Sequence, residues 1–316
     1  MAQAPDPPAT AKALASHDRG TDRAFEEVVK RTDDLLWYFK VGDVASIDKI
    51  QYTSKPERTT NPTGQGAGNP MILPAYVFAP KNLRAKAPLI IFIHGGVHSN
   101  FNTFYAHIVR ELIDEGYVIV APEYRGSTGY GSDLYDQIDY GGLELDDVKA
   151  ARDWAVENLS SIDPKRIGII GWSHGGYQAL MNIFKWPDAY QAAYAGVPVS
   201  DLVQRMGYKS QGYRNTFKEF IGKEAVDNPM EYRNRSPYFH AAELKTPLLI
   251  HTNTNDEDVN VMEVEHLIDA LKAAGKKFEY KIYQAVPGGH TFNRIDTTTA
   301  KQSRKEIYEF LARYLK

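Results

Sequence analysis

The chain has 316 residues, of which 43% are hydrophobic, so its length allows one large buried core or two small ones. Its formal net charge of −3, without a long run of Lys or Arg, argues against nucleic acid or an anionic membrane surface as a partner. The chain contains no cysteine, which excludes disulfides, thiolate metal sites and a thiol nucleophile, and no apolar stretch approaches the ~20 residues that cross a bilayer.

The first 40 residues divide into an Ala- and Pro-rich start and a segment with helical periodicity. Residues 1–15 are rich in Ala and Pro, and we predict a flexible tail over residues 1–20. Such a run is typical of the start of a mature exported protein, which we favour over a cytoplasmic protein with a loose tail. From residue 21 to residue 40, apolar side chains at near-helical spacing predict one amphipathic helix: Phe25, Val28, Val29, Leu35, Leu36 and Phe39.

Two strands and a loop are predicted next. Residues 47–52 suggest a short strand, and residues 56–70, dense in Gly, Pro, Thr and Asn, predict a loop. Residues 71–79 form a second strand, which Pro74 restricts to a sheet edge or a bulge. We expect residues 21–70 to pack on the core as helix, strand and loop.

Beyond residue 88, short apolar runs alternate with helical patterns, as a parallel sheet covered on both faces requires. The runs are 89–93, 117–121, 167–170, 192–197, 248–250 and 278–283, and the helical candidates lie around 104–115, 143–159, 177–185, 261–274 and 301–314. Residues 71–316 therefore predict one α/β domain, a doubly wound, mostly parallel sheet of about eight strands with helices on both faces.

Residues 200–240 interrupt this alternation with aromatic residues in a polar background: Tyr208, Tyr213, Phe217, Phe220, Tyr232, Tyr238 and Phe239. An insertion between parallel strands emerges at the edge of the sheet where ligands bind, which predicts a lid or pocket wall. An equally weighted alternative is that the segment lies at the surface and its aromatic side chains form a small core of their own. Under the first interpretation Tyr208, Tyr213 and Phe217, with Tyr124, are candidate substrate-binding residues.

The segment RIGIIGWSHGGY, residues 166–177, predicts an activated serine. An apolar strand runs directly into Gly171-Trp172-Ser173-His174-Gly175 and then into a helix, the nucleophile elbow of the α/β-hydrolase fold. The sharp turn strains the serine backbone, and side chains at the flanking glycines would collide with the adjoining strand and helix. A glycine-rich turn with an idle serine is the alternative.

Serine needs a base and the base needs an acid. His290, behind Gly288 and Gly289 after the last strand, is the predicted base, with a structural surface histidine as the alternative. The acid is expected in loop 252–259, where Asp256, Glu257 and Asp258 stand. Spacing does not choose among these three, and we expect the two that are not catalytic to be solvated loop charges.

An oxyanion hole requires backbone amides near the serine. One should come from His174, and the other from the loop His94-Gly95-Gly96 after the first parallel strand. His94 and His98 have no accompanying third ligand, so no metal is expected, and no cofactor is expected either.

Four segments, IFIHGGVHS, EYRGSTGYG, GWSHGGY and GGHTF, together resemble the catalytic domain of the prolyl oligopeptidase family, particularly its acylaminoacyl-peptidase and dipeptidyl-peptidase branches. EYRGSTGYG is the most discriminating, and the resemblance covers residue 73 to the C-terminus. It implies Ser173 as nucleophile, His290 as base and Asp256 as acid, with Asp258 as the fallback. It also implies Gly95 or Gly96, together with His174, as amide donors.

The chain departs from the family pattern in two places. Some relatives carry a tyrosine where His94 stands, so this chain is expected to use amides or that imidazole. The stretch before residue 70 is too short for the β-propeller of the large members, and the helix over residues 21–40 is expected to cover part of the cleft instead.

These residues favour a metal-independent carboxylesterase, because an ester leaving group departs with less help and no anchor for a peptide amino terminus is recognisable. A serine peptidase of prolyl oligopeptidase or acylaminoacyl-peptidase type is the first rival. A catalytically silent binding module is the second. The expected partner is a small ester or a short peptide. Assembly into a homo-oligomer is a further alternative.

Overall fold

A computed structural model describes residues 7–58, 63–83 and 85–316. Within these residues eight strands form one sheet: β1 (Ala45–Pro56), β2 (Pro70–Pro80), β3 (Ala87–Ile93), β4 (Val118–Pro122), β5 (Ile162–Trp172), β6 (Ala192–Gly196), β7 (Leu248–Asn253) and β8 (Glu279–Tyr283). Their order across the sheet is β1-β2-β4-β3-β5-β6-β7-β8. Strand β2 runs antiparallel to β1 and β4, whereas β3 to β8 are parallel, so the predicted α/β-hydrolase sheet is confirmed.

The described helices cover both faces of this sheet: α1 (Pro7–Val41), α2 (Ala106–Asp114), α3 (Ser132–Tyr135), α4 (Leu143–Asn158), α5 (His174–Lys185), α6 (Leu202–Tyr208), α7 (Gln211–Ile221), α8 (Pro229–Asn234), α9 (Val261–Ala273) and α10 (Thr298–Leu315). Short 3-10 turns lie at Thr103–Tyr105, Pro237–Glu243 and Gly289–Thr291.

The side chains of the strands alternate between two apolar layers. In β3, Leu89, Ile91 and Ile93 enter the layer shared with α4, α5 and α9, whereas Ile90 and Phe92 enter the layer shared with α1, α2 and α10. All seven residues of β3 are buried. This double burial explains why the parallel strands appear in the sequence as continuous apolar runs.

The parallel strands end at one edge of the sheet, and the candidate site lies there. The loop after β3 carries Gly95 and Gly96, Ser173 follows β5, Asp256 follows β7 and His290 follows β8. The fold thus gathers four segments that are far apart in the sequence.

The N-terminal prediction is wrong in two respects. Helix α1 begins at Pro7, so residues 7–20 are helical rather than a flexible tail, while residues 1–6 lie outside the described part of the chain. In addition, the predicted apolar stripe of α1 faces solvent, with Phe39 85% exposed. The opposite face of the helix is buried instead, and there Trp37 packs against Phe78 and Phe101.

Pro74 does not lie at a sheet edge, because β2 is paired on both sides. Its carbonyl accepts a hydrogen bond from the Glu123 amide at 3.0 Å, next to the last β2–β4 pair, Ala75 with Pro122. In an antiparallel strand the N–H and C=O of one residue point to the same side, so the missing donor of Pro74 falls where β4 ends. Residues 59–62 of the predicted loop lie outside the described chain.

The 200–240 segment folds into α6, α7 and α8, which follow β6. Phe217, Phe220 and Tyr232 are buried in the core that it shares with the sheet. Its role as a lid stays a prediction. None of the helices in the described residues combines the length and the apolar character needed to span a membrane.

Candidate active site

Ser173 occupies a strained turn between β5 and α5. Its backbone has φ 58° and ψ −121°, in the region that non-glycine residues rarely adopt. The turn is held by a hydrogen bond from the Ser173 amide to the Gly196 carbonyl at 2.9 Å. Because the surrounding strands enforce this conformation, the hydroxyl is held at the N-terminus of α5.

The glycines around Ser173 are required by close backbone approach. A Cβ on Gly171 would overlap the backbone of Gly175, and one on Gly175 would overlap the Ile93 carbonyl. Gly95 lies on the other side of the serine, where an added Cβ would come within 3.5 Å of the Ser173 Cβ. The elbow therefore allows α5 and the loop after β3 to approach the serine together.

His290 and Asp256 are in direct contact. The imidazole Nδ1 lies 2.8 Å from Oδ2 and 2.9 Å from Oδ1 of Asp256, whose side chain is fully buried. The Asp256 Oδ1 also accepts the amides of Asp258 and Val259 at 2.9 and 2.8 Å. These bonds fix the carboxylate, which in turn orients the imidazole.

The other two acids of this loop are accessible to solvent, as predicted, with Glu257 exposed and Asp258 half-exposed, but each also has a partner. Glu257 accepts the His290 amide at 3.0 Å. Asp258 Oδ1 accepts bonds from Arg205 at 3.0 Å and Lys209 at 2.9 Å. Burial raises the pKa of Asp258, but these cations outweigh it, so that pKa is lowered overall.

Asp258 also approaches the imidazole, with its Oδ2 3.8 Å from Nε2 of His290. The Ser173 hydroxyl has no hydrogen-bond partner within residues 7–58, 63–83 and 85–316, so a Ser173–His290 bond is not formed in this structure. Hydrogen bonds between catalytic groups are often long before substrate binds.

Asparagine side chains connect the loop that carries His290 to its neighbours. Asn253 donates to the Gly289 carbonyl and Asn255 to the Val286 carbonyl, both at 2.9 Å. Asn293, three residues after His290, accepts the indole N–H of Trp172 at 2.9 Å. Sequence reasoning missed these residues, because an asparagine in a polar loop resembles an ordinary turn residue.

Two amides of these loops have no partner among the described residues: that of His174, the residue after Ser173, and that of Gly96, the residue after Gly95. The Gly95 amide donates to the Tyr105 hydroxyl at 3.1 Å, so Gly95 is not available as an oxyanion donor. The positive φ of Gly96, 75°, turns the peptide in a way that a side chain would strain.

The His94 imidazole is fully buried. Its Nε2 lies 3.1 Å from both Ser127 Oγ and Glu123 Oε2, and its ring stacks on Tyr124 at 4.3 Å. An oxyanion role for this imidazole is therefore not supported. His98 Nδ1 contacts the Gly126 carbonyl at 2.8 Å.

Behind His94 lies a buried charged cluster that includes helix α1. Lys30, with 1% of its side chain exposed, lies 3.7 Å from Glu123 and donates to the Phe101 carbonyl at 2.5 Å. Burial raises the pKa of Glu123, but the bond from His94 and the Lys30 charge outweigh it and lower that pKa. Glu123 directly follows β4, as Ser173 directly follows β5, so its place at the end of a parallel strand was available in the sequence.

The predicted substrate-binding residues divide into two groups. Tyr124 and Phe217 are buried, and the Tyr124 hydroxyl donates to the Gly96 carbonyl at 2.7 Å, so neither side chain forms the cleft surface. Tyr208 is half-exposed and contacts Glu263, and the Tyr213 hydroxyl accepts from Arg205 at 2.7 Å. Arg205 connects these two tyrosines to Asp258, which lies 3.8 Å from His290.

A comparison with protein families matches residues 102–316 to the prolyl oligopeptidase family. These residues include Ser173, Asp256 and His290. A second family, platelet-activating factor acetylhydrolase, isoform II, matches residues 65–138, which contain none of the three.

Curated relatives support the first match. An uncharacterized peptidase, YuxL, of Bacillus subtilis is 34% identical over 209 residues, covering 66% of this chain and 31% of that protein. The acylamino-acid-releasing enzyme of Arabidopsis thaliana is 30% identical over 246 residues, covering 74% of this chain and 31% of that enzyme. The chain thus spans about a third of the length of these relatives.

Among solved structures, the acylaminoacyl peptidase of Pyrococcus horikoshii has a TM-score of 0.74 at 24% identity. The likeness covers 86% of this chain and 42% of that one, and it concerns the fold.

Proposed function

The chain belongs to the prolyl oligopeptidase family of serine hydrolases, and from this premise we propose that it hydrolyses peptide or acylaminoacyl bonds through Ser173, His290 and Asp256. The observation that carries the proposal is the family match over residues 102–316, which contains all three side chains. The contact of His290 with Asp256 at 2.8 Å supports these roles.

The reaction begins with Ser173. Its hydroxyl attacks the acyl carbonyl of the substrate while His290 Nε2 takes the proton, and the carbon–oxygen bond of an acyl-enzyme forms. The protonated imidazole gives that proton to the leaving amine as the carbon–nitrogen bond of the substrate breaks. Water, deprotonated by the same imidazole, then attacks the acyl-enzyme, and the bond to Ser173 breaks as the imidazolium returns the proton to the serine oxygen. Asp256 stabilises the imidazolium through Nδ1.

The negative charge on the carbonyl oxygen needs donors close to Ser173. We assign this role to the amides of His174 and Gly96, since both are unpaired among the described residues, His174 follows Ser173 directly, and Gly96 follows Gly95, which lies beside the serine. A single oxyanion donor is worth about 10²–10³ in kcat in serine hydrolases. The N-terminus of α5 adds a favourable dipole.

Peptides rank above esters in this proposal, which reverses the preference drawn from the sequence alone. The relatives are named as peptidases or as amino-acid-releasing enzymes. The acetylhydrolase match favours an ester, but it covers none of the proposed catalytic side chains. A silent binding module is disfavoured by the buried Asp256 aligned on His290.

Two substrates that share one acyl group and differ only in the leaving group test the proposal. We would measure kcat/KM for an N-acetyl-aminoacyl anilide and for the p-nitrophenyl ester of the same N-acetyl amino acid, with Ser173→Ala as the control for background hydrolysis. Cleavage of the anilide by the wild type and not by Ser173→Ala supports a peptidase. Serine-dependent cleavage of the ester with no detectable cleavage of anilides or short peptides supports the esterase instead.

A further inference from the structure

Helix α1 exposes an apolar stripe on the side facing away from the protein. Its members are Phe25, Val28, Val29, Leu35, Leu36 and Phe39, with exposed fractions that run from 40% at Leu36 to 85% at Phe39. At 3.6 residues per turn they lie within about 120° of the helix circumference, and Thr32 lies at the centre of that arc. A helix packed on one face normally carries polar residues on the other.

This stripe is nearly symmetric about Thr32. Phe25 and Phe39 stand seven residues from it, Val28 and Leu36 four residues, and Val29 and Leu35 three residues. If two copies of α1 pair antiparallel about a twofold axis at Thr32, residues meet when they lie on the same flank of the stripe and at similar distances on either side of Thr32. The pairs that result between the copies are Phe25 with Phe39, Val28 with Leu35 and Val29 with Leu36. A twofold interface requires this kind of self-complementarity, because one patch must pack against itself.

The charges beside the stripe agree with the same pairing. Asp22 and Lys40 are both exposed and lie on the same flank of the stripe, and neither forms an ion pair among the residues that the structure describes. In the antiparallel pair, Asp22 of one copy lies opposite residue 42 of the second copy, within reach of the Lys40 side chain there. Two such Asp22–Lys40 contacts result, one at each end.

The size of the stripe suits a dimer. At roughly 150–200 Å² for each large side chain, the exposed fractions of its six members amount to roughly 600 Å² of apolar surface. The polar flanks add to this and bring the patch near the ~800 Å² per partner that stable interfaces bury. Monomeric proteins seldom expose so large an apolar patch.

We propose that a second copy of this chain covers the stripe, in a twofold dimer built on antiparallel α1 helices that cross at Thr32. The face of α1 that carries Lys30 and Trp37 stays on the catalytic core, so the two active sites belong to separate copies.

Because the chain lacks cysteine, single introduced cysteines test this geometry directly. Thr32→Cys and Thr21→Cys are matched, since both threonines are exposed on α1 and donate to the carbonyl four residues earlier, Val28 and His17 respectively. Under mild oxidation we expect a disulfide-linked dimer for Thr32→Cys. In the Thr21→Cys variant the two introduced thiols would be separated by roughly 33 Å, at 1.5 Å rise per residue, and should not link.

Sedimentation velocity supplies the second readout. The wild type should sediment as a dimer, and Phe39→Glu should weaken association at least about tenfold. Tyr38→Glu is the control, because Tyr38 is an exposed aromatic outside the stripe. A wild type that is monomeric at every concentration, equal cross-linking of both cysteine variants, or equal effects of the two glutamates would each overturn the proposal.

Discussion

The indole N–H of Trp172, the residue before Ser173, donates to Oδ1 of Asn293 at 2.9 Å, three residues beyond His290. Both side chains are buried. The Asn293 amide donates in turn to the Tyr194 hydroxyl at 2.8 Å and to Ser303 at 3.2 Å. One asparagine therefore connects the strand that ends at the proposed nucleophile with the loop that carries the proposed base.

Replacing Asn293 should displace the catalytic side chains more than it weakens substrate binding. We expect Asn293→Leu to lower kcat by about 10–100-fold with little change in KM, because small displacements of catalytic groups are costly. Asn293→Asp keeps the acceptor for Trp172 and should recover part of the loss. Steady-state kinetics on folded protein checks this, and equal activity of Asn293→Leu and wild type would show that the bond has no positioning role.

The two carboxylates near His290 should differ sharply in importance. Asp256 is buried and contacts Nδ1, so Asp256→Asn should lower kcat by about 10³–10⁴-fold through loss of the oriented imidazole. Asp258 is held by Arg205 and Lys209, so Asp258→Asn should change kcat by less than about tenfold. A larger loss for Asp258→Asn would assign the acid role to Asp258.

Lys30 should be important for stability. Removing one partner of a buried ion pair leaves the other charge uncompensated, so Lys30→Met should reduce the free energy of unfolding by about 3–5 kcal/mol. Adding Glu123→Gln should restore part of this. Lys49→Met, which removes an exposed lysine paired with Asp34, should cost less than about 1 kcal/mol. Denaturant titrations of each variant measure the free energy of unfolding. Equal losses for Lys30→Met and Lys49→Met would show that Lys30 and Glu123 do not form a stabilising buried ion pair.

Acid should destabilise the fold below pH 6.5 through His251. Burial lowers the pKa of His251 to about 3 from its ordinary value of 6.5, despite the opposing charge of Glu306. Below pH 6.5 the unfolded chain therefore binds a proton that the folded protein does not, and stability falls as pH falls. Burial also lowers the pKa of His98 and His107, in the same direction.

The expected slope from His251 is about 1.4 kcal/mol per pH unit between pH 6 and pH 4. Free energies of unfolding measured by denaturant titration across this interval test it. His251→Asn removes the titrating ring and should flatten the curve by about that slope. An unchanged slope in this variant would show that His251 is not the group responsible.

The sheet and the elbow were predictable because their signals are local. The continuous apolar run of β5 and the glycines around Ser173 express burial and close approach within a few residues. The buried face of α1 was not predictable, since both of its faces carry large side chains and only tertiary packing selects Trp37 over Phe39. The roles of Asn293 and Lys30 likewise depend on partners far away in the chain.

The proposed activity depends above all on activation of Ser173 by His290. We would treat the wild type, His290→Ala and Ser173→Ala with a fluorophosphonate and locate the adduct by peptide mass spectrometry. We predict rapid stoichiometric labelling on Ser173 in the wild type, labelling slowed by at least about 10³-fold in His290→Ala, and none in Ser173→Ala. A folded wild-type protein that stays unlabelled, or that is labelled at another residue, would contradict the assignment.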